Sequence, residues 1–315
     1  MVAEAAKVAY VFPGQGAQYV GMGRDLYDSY DSARAVFKQA DEALGFPLSQ
    51  LCFNGPDDEL RQTVNAQPAI VTVSLALLSA IRNSADNKSL PAPAFVAGHS
   101  LGEYTALAAA GVFDFATAIY LTRQRGRLMH QAGLENPGGM AAVIGLDEAL
   151  LADICNQSDT RIVNFNCPGQ LVISGDMDSL RKAIELAEAK GAHRIVPLQV
   201  SGAFHTHYMQ PAADSLAEII DNIHFDTPQI PIMANTTASE ITTAEMAKEE
   251  LLNQLCNSVQ WQRSIEYIID KGVTTFIEIG PGRVLSGLIK RINRGVKAIN
   301  IGDTESITGL ADVFK

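Results

Sequence analysis

The sequence predicts an α/β protein that has a mostly parallel sheet and a smaller subdomain inserted into the middle of the chain. Apolar segments with strand and helix periodicity alternate along most of the 315 residues, as is typical of parallel sheets covered by helices. Near the middle, a strand, a helix, two strands, a helix and a strand follow one another within about 60 residues. The apolar share of 47% is enough for a large core and a smaller one beside it.

The first part of the chain predicts short buried strands separated by helices. Residues 8–12 are apolar and end at Pro13 and Gly14, which indicates a buried strand and a tight loop. Residues 24–44 repeat apolar side chains every three or four positions and end at Gly45, which predicts one helix. The other elements expected here are a helix after Pro68 to about residue 81, a strand at 94–97 and helices from Leu101 onward.

The middle of the chain predicts a ferredoxin-like subdomain, because its element order is that of a split βαβ unit. Its expected elements are a strand at 140–145, a helix at 148–156, strands at 161–165 and 171–174, a helix at 180–190 and a strand at 193–198. Glycine and proline residues flank this segment, as at crossings between domains. We therefore assign residues 137–202 to the subdomain and residues 1–136 and 203–315 to the large domain.

The last part returns to alternating helices and strands, which extends the parallel sheet. The expected elements are helices at 208–223, 244–256, 261–270 and 283–292 and strands at 230–233, 275–279 and 296–301.

Charge and composition exclude several classes of protein. With 24 basic and 35 acidic residues the formal net charge is −11, which repels nucleic-acid phosphates. The longest nearly apolar run, residues 69–81, falls short of the roughly 20 residues that a membrane span needs. The N-terminus lacks the layout of a secretion signal, and the four cysteines form no C-x-x-C pair. We expect a monomer in the cytoplasm that binds neither nucleic acid nor membrane.

The strongest local motif is Gly98-His99-Ser100-Leu101-Gly102, which matches G-x-S-x-G between an apolar strand and an alanine-rich helix. In that context the glycines permit a sharp turn that exposes Ser100 as a nucleophile. The free N–H groups and the dipole of the following helix favour an oxyanion at the same place.

A serine nucleophile needs a base, and His205 is the best candidate among six histidines. It lies in a loop that follows the subdomain and comes after Ser100 in chain order, as in hydrolases. His207 is the second candidate. A metal site on His205 and His207 is an alternative, although no other cluster of ligand-type residues lies nearby. We expect no metal and no cofactor.

The loop Pro13-Gly14-Gln15-Gly16-Ala17-Gln18 allows two interpretations. A dinucleotide fingerprint would require glycine where Tyr19 stands. The alternative is that a backbone N–H of the loop contributes to an oxyanion hole.

Arg123, Arg125 and Arg127 form a basic cluster on a predicted helix, in an otherwise acidic chain. Such clusters are usually solvated. Because Arg123 and Arg127 share one helix face, Arg125 points elsewhere and could bind a carboxylate through its guanidinium fork.

Seven segments together carry a family resemblance. They are FPGQG at 12–16, GHSLGE at 98–103, QRG at 124–126, VNFN at 163–166, GAFH at 202–205, NSVQW at 257–261 and EIGPG at 278–282. In this order they resemble the malonyl-CoA:acyl carrier protein transacylases of fatty acid synthesis and the acyltransferase domains of polyketide synthesis. The resemblance implies a large domain like that of α/β-hydrolases with a ferredoxin-like insert.

The resemblance also implies roles for individual residues. Ser100 would be the acylated nucleophile and His205 its base, with the backbone N–H groups of Gln15 and Leu101 as the oxyanion hole. Arg125 would pair with the carboxylate of malonate. Two further roles follow: the backbone carbonyl of Gln260 would orient the histidine, and Phe204 would line the acyl pocket and crowd an α-methyl branch.

The implied partners are malonyl-CoA and acyl carrier protein. A discrete acyltransferase of a polyketide line stays open as an alternative, and so does a serine hydrolase or thioesterase. Because carrier proteins are acidic, as the resemblance implies, a local basic patch is expected on this acidic chain. The candidates for that patch are Arg283, Lys290, Arg291 and Arg294.

Overall fold

The computed structural model of the protein describes residues 7–83 and 90–310. In these ranges the strands are Lys7–Phe12 (β1), Pro93–Gly98 (β2), Gly138–Ile144 (β3), Arg161–Cys167 (β4), Gln170–Asp176 (β5), Arg194–Pro197 (β6), Ile232–Met233 (β7), Glu240–Ile241 (β8), Val273–Ile279 (β9) and Lys297–Ile301 (β10). The helices of the first half are Arg24–Ser29 (α1), Asp31–Leu44 (α2), Leu48–Asn54 (α3), Asp57–Arg61 (α4), Thr63–Asn83 (α5), Gly102–Ala109 (α6) and Phe115–Glu135 (α7). Those of the second half are Glu148–Ser158 (α8), Met177–Ala189 (α9), Gln210–Ile220 (α10), Ala244–Gln254 (α11), Trp261–Asp270 (α12), Val284–Ile292 (α13) and Thr304–Thr308 (α14).

The larger sheet has the strand order β10-β9-β1-β2-β7-β8. Its strands from β10 to β7 are parallel, and only β8 pairs antiparallel with its neighbour. The central strand β1 is buried from Val8 to Phe12, because helices cover both faces of the sheet. This burial on both sides explains its continuous apolar sequence.

The smaller sheet has the order β4-β5-β3-β6, and all its neighbours are antiparallel. Helices α8 and α9 pack on it around a separate apolar cluster. This is the ferredoxin-like arrangement that the element order predicts, so the predicted fold class is confirmed. The four strands lie between residues 138 and 197, inside the segment that the sequence analysis assigns to the insert.

Backbone hydrogen bonds join the smaller sheet to the loop between α11 and α12, near the predicted site. The N–H of Phe165 on β4 donates to the carbonyl of Val259 at 2.9 Å, and the N–H of Val259 donates to Val163 at 2.8 Å. The loop between α11 and α12 of the large domain is thereby held on the edge of the smaller sheet.

Two predicted helices differ from the observed ones by more than three residues or by a break. The helix expected at 24–44 is interrupted by Tyr30, which is extended, and the side chain of Arg34 donates to the carbonyls of Tyr27 and Asp28 at the end of α1. The helix expected after Pro68 starts earlier, at Thr63. Proline lacks an N–H for the carbonyl four residues before it. Here that carbonyl belongs to Val64, and it accepts a hydrogen bond from the side chain of Arg123 on α7.

Helix α5 has 21 residues and is long and apolar enough for a membrane span, because it extends beyond the apolar run at 69–81. However, 83% of its most apolar 18-residue window is buried within the protein. It therefore packs as a core helix between α2 and α7. Among the cysteines, three are buried free thiols and Cys256 is a half-buried one.

Candidate active site

A tight turn between β2 and α6 presents Ser100 at the end of the larger sheet. Ser100 has a φ of 49°, in the left-handed region that ordinary side chains avoid. A Cβ atom on Gly98 would lie 1.9 Å from the carbonyl carbon of Gly102, and one on Gly102 would lie 2.1 Å from the oxygen of Phe12. Only glycine fits at either position, as the predicted nucleophile elbow requires.

The side chain of His205 contacts Ser100 directly. Ser100 Oγ lies 2.8 Å from His205 Nε2. On the other side of the ring, Nδ1 lies 2.9 Å from the carbonyl oxygen of Gln254 and 3.1 Å from that of Asn257. Because carbonyls only accept, the ring proton belongs on Nδ1, and Nε2 is free to accept the Ser100 hydroxyl proton.

The prediction that the carbonyl of Gln260 orients the histidine is wrong. Gln260 precedes α12, and its carbonyl accepts from the N–H of Ser264 in the first turn of that helix. The carbonyls at and beyond the end of α11 take this role instead. Gln254 is the last residue of α11, and the final carbonyls of a helix have no partner within it. Asn257 lies in the loop that follows, where its carbonyl also faces His205 Nδ1.

Burial and the nearby charge of Arg125 lower the pKa of His205 to about 3, although hydrogen bonds to the carbonyls of Gln254 and Asn257 oppose this. The imidazole is therefore neutral near pH 7. A neutral imidazole is the form that can accept a proton from serine.

Arg125 is buried beside Ser100, with only 1% of its surface exposed. Its Nη2 lies 3.1 Å from Ser100 Oγ and 2.9 Å from Gln254 Oε1, and its Nη1 donates to Gln67 Oε1 at 2.7 Å. The interpretation of Arg125 as a solvated surface residue is therefore wrong.

The two neighbouring arginines have other surroundings. Arg123 Nη1 donates at 2.8 Å to the carbonyl of Val64, which is the one that Pro68 leaves without a helical partner. Arg127 is exposed on the surface of α7. Only the middle arginine of the cluster reaches the candidate site.

The backbone N–H groups of Gln15 and Leu101 are the predicted oxyanion donors. Gln15 and Leu101 line the cavity next to Ser100, and in the described part of the chain neither N–H has a hydrogen-bond partner. The N–H of Ser100, by contrast, donates to Asn235 Oδ1 at 2.7 Å. The dinucleotide interpretation of the Gln15 loop lacks its structural context, since turns rather than a helix follow Gly16.

A cavity of about 480 Å³ opens above Ser100, between the two sheets. The large domain contributes the catalytic candidates and Phe204, which is buried next to His205. The side of the smaller sheet contributes mainly apolar residues and two amides, namely Met140, Asn164 and residues 196–200, which include Gln199. A ligand bound in this cavity beside Ser100 would therefore lie between the two sheets.

His207 does not reach the site. It is exposed, begins a 3-10 turn, and its ring lies 4.1 Å from that of Tyr208. Across residues 7–83 and 90–310, no group of three or more His, Cys, Asp or Glu side chains could hold a metal ion. Both ring nitrogens of His205 already have partners, which removes the basis for the His205–His207 metal interpretation.

Sequence reasoning missed several residues that position the site. Gln67, Asn235, Gln254 and Asn257 all bond to the catalytic candidates or their backbone. Asn257 lies within the NSVQW segment, and Gln254 lies three positions before it, so that segment was the available signal. Gln67 and Asn235 lie outside every segment that carried the resemblance.

Comparisons with known proteins identify the family of the chain. Residues 9–310 match the family model described as an acyl transferase domain. The malonyl CoA-acyl carrier protein transacylase of Bacillus subtilis is 44% identical over 307 residues, which are 96% of this chain and 95% of the relative. The corresponding protein of Staphylococcus aureus is 42% identical over 309 residues, 96% of this chain and 98% of the relative.

Solved structures give the same result. A malonyl-transacylase in complex with its type II PKS acyl-carrier protein superposes with a TM-score of 0.93 at 40% identity, covering 98% of this chain and 100% of that one. An acyl carrier protein S-malonyltransferase from Vibrio cholerae gives 0.92 at 40% identity, covering 97% and 100%. With the Ser100–His205 pair and the buried Arg125 in place, these matches show that the chain belongs to the malonyl CoA-acyl carrier protein transacylase family.

Proposed function

We propose that this protein transfers the malonyl group from malonyl-CoA to the phosphopantetheine thiol of acyl carrier protein, through an ester on Ser100. The observation that carries the proposal is the position of Ser100 Oγ, 2.8 Å from His205 Nε2 and 3.1 Å from Arg125 Nη2. One neighbour can take the proton of the nucleophile, and the other carries the charge that recognises the free carboxylate of malonate.

In the first half of the reaction, Ser100 Oγ attacks the thioester carbonyl carbon as its proton passes to His205 Nε2. The N–H groups of Gln15 and Leu101 stabilise the oxyanion. The C–S bond then breaks, and the CoA sulfur takes the proton from His205. The products are free CoA and a malonyl ester of Ser100.

In the second half, the carrier thiol gives its proton to His205 and attacks the ester carbonyl. The bond to Ser100 Oγ breaks, and Oγ regains the proton from His205. Each step moves only a proton or an acyl group, so the sequence of steps calls for no redox cofactor.

Arg125 and Phe204 would set the acyl preference. A substrate without the carboxylate, such as acetyl-CoA, leaves a buried cation unpaired, which should cost about 3 to 5 kcal/mol. A methyl branch crowds Phe204 and costs less, about 10- to 200-fold in kcat/KM. The expected order is malonyl, then methylmalonyl, then acetyl.

The test is the intact mass of the protein after incubation with malonyl-CoA alone. The native protein should gain one malonyl group and hold it, whereas Ser100→Ala should gain none and should transfer at less than about a thousandth of the native rate. Ser215→Ala, which changes a half-buried serine on α10, is the control and should acylate normally. An adduct on Ser100→Ala would contradict the proposal, and steady release of malonate without an acceptor would favour a hydrolase.

A discrete role in a polyketide line is the second candidate, because one solved relative is bound to a type II PKS acyl-carrier protein. Relative kcat/KM values for carrier proteins of the two pathways would separate these roles. We also propose that the protein acts as a cytoplasmic monomer. Sedimentation of the purified protein and fractionation of the cells that produce it would test these two points.

A further inference from the structure

A hydrogen-bond network centred on a buried carboxylate lies next to the active site. Glu103, in the first turn of α6, is fully buried. Its Oε1 accepts hydrogen bonds from the backbone N–H of Asn235 at 2.8 Å and from Asn235 Nδ2 at 2.7 Å. Its Oε2 accepts from Gln254 Nε2. The steps of the proposed reaction make no use of this group.

The side-chain amide of Gln254 lies between Glu103 and Arg125. Its Nε2 donates to Glu103 and, at 2.9 Å, to the carbonyl of Ser100. Its Oε1 accepts from Arg125 Nη2 at 2.9 Å. The backbone carbonyl of the same residue accepts from His205 Nδ1. One residue therefore contacts all three members of the proposed catalytic group.

The Gln254 amide connects the two charged groups of this network, Glu103 and Arg125. No ion pair found in the described ranges includes Arg125, so its buried cation has no carboxylate in direct contact. The three groups that contact Glu103 are all donors, which favour the ionised carboxylate, although burial and the charge of Glu250 raise the pKa of Glu103. A carboxylate, an oriented amide and a guanidinium thus follow one another from Glu103 to Arg125.

We propose that Glu103 is a positioning residue that acts as the indirect counter-charge of Arg125. By accepting from Gln254 Nε2, it fixes the amide so that Oε1 faces Arg125 and holds the guanidinium at Ser100 Oγ. The selectivity for an acyl group with a free carboxylate then depends on Glu103, which touches neither the substrate nor the reacting atoms. This inference rests on the proposed malonyl transfer.

The test is the ratio of kcat/KM for malonyl-CoA to that for acetyl-CoA in Glu103→Gln. The new amide oxygen keeps the two donors of Asn235, so its NH₂ group faces Gln254 Nε2. The Gln254 amide must then turn or withdraw, and Arg125 Nη2 loses the acceptor Gln254 Oε1. We expect the ratio to fall by at least about tenfold, mainly through a higher KM for malonyl-CoA. The ratio is independent of the folded fraction, so a purely structural role of Glu103 would not change it.

Glu250→Gln is the matched control. Glu250 is also buried, but it accepts from the N–H and hydroxyl of Thr236 rather than from Gln254. Its variant should keep the native ratio even if the protein is less stable, and Arg125→Ala sets the lower limit of the ratio. If Glu103→Gln melts earlier but keeps the native ratio, the proposal is overturned.

If Glu103→Gln does not fold, the same ratio of kcat/KM is measured in Glu103→Asp. It keeps the charge but withdraws it from Gln254, so the ratio must fall, and an unchanged ratio overturns the proposal. Failure of this inference is distinguishable from failure of the proposed function. If only this inference fails, Ser100→Ala is still inactive. If the proposed function fails, Ser100→Ala still forms an adduct.

Discussion

His205 is held neutral by two effects that act in the same direction, burial and the charge of Arg125, which bring its pKa to about 3. Since the neutral ring is the active base, kcat/KM for malonyl-CoA should stay nearly constant from about pH 8 down to about pH 5. If the base had the ordinary pKa of histidine, kcat/KM would fall to half its maximum at about pH 6.5. Binding of the malonyl carboxylate offsets the charge of Arg125, so the acid limb of kcat should lie at higher pH than that of kcat/KM.

Steady-state kinetics between pH 4 and 8 at constant ionic strength would measure both profiles. Thermal unfolding must be followed in parallel. Burial also lowers the pKa of His99, and a chain whose histidines bind protons more readily when unfolded loses stability as the pH falls below about 6.5. A midpoint near 6.5 in kcat/KM, with the protein still folded, would show that His205 is not the shielded base described here.

At this scale the sequence identifies side chains with distinctive chemistry and misses the groups that hold them. Serine in a glycine-flanked turn, a histidine later in the chain and an arginine in an acidic protein are all visible in a single sequence. A backbone carbonyl has no residue type, so the sequence could not correct the assignment of Gln260, which the resemblance implied, to Gln254 and Asn257. Buried amides such as Gln67 and Asn235 resemble ordinary surface residues until the fold brings them to the site.

The turn between β2 and α6 gives a prediction for an element. Replacing Gly102 by alanine would place a methyl group 2.1 Å from the carbonyl oxygen of Phe12 and 2.8 Å from its carbon. Only movement of the backbone of β1 or of the turn relieves this contact. We expect Gly102→Ala to be insoluble or to lose at least about a hundredfold in acylation rate, because small displacements of a nucleophile are costly.

Gly287→Ala is the matched control for this change. Gly287 is an exposed residue inside α13, with nothing within 4 Å of an added Cβ atom. Alanine there should leave acylation unchanged and stabilise the protein by about 0.5 to 1 kcal/mol. The melting temperature and the rate of ester formation of both variants would check this. Native behaviour of Gly102→Ala would mean that the close approach of β1 to the turn does not constrain the nucleophile.

The elements that a single sequence predicts well are long or strongly patterned, such as β1, α2 and the alternating units of the insert. Helices α3, α4 and α14 and strand β8 are only two to seven residues long, which leaves no room for a periodic pattern. The bounds of α5 depend on Arg123, which is remote in sequence and compensates for Pro68. Tertiary contacts of this kind cannot be derived from local patterns.

On the scale of the whole molecule, the net charge of −11 opposes the approach of an acidic carrier protein. The predicted basic residues Arg283, Lys290, Arg291 and Arg294 are exposed on and around α13. Arg291 contacts Gln170, which lines a second cavity that adjoins His99 and Gln15. The proposed patch therefore lies beside a cavity that meets the active-site residues.

Reversal of Lys290 and Arg291 to glutamate should raise the KM for carrier protein by about 5- to 20-fold and that for malonyl-CoA by less. The effect should shrink at high ionic strength, because surface charges are screened. Lys38→Glu is the control, since Lys38 is exposed on α2, which packs against α5 and α7 rather than α13. Equal increases for both substrates would assign the patch to CoA phosphates.

The carbonyls that hold the ring of His205 have a consequence for genetics. Every residue has the same main-chain oxygen, so no codon change at position 254 or 257 deletes the acceptor itself. A saturation screen would therefore report side-chain effects at these two positions and stay blind to the contact that fixes the tautomer. In a triad completed by aspartate, a single nucleotide change can remove the side chain that makes this contact. Here a substitution at either position leaves the main-chain carbonyl in place. Chemical synthesis with an ester in place of the following peptide bond would weaken the carbonyl as an acceptor.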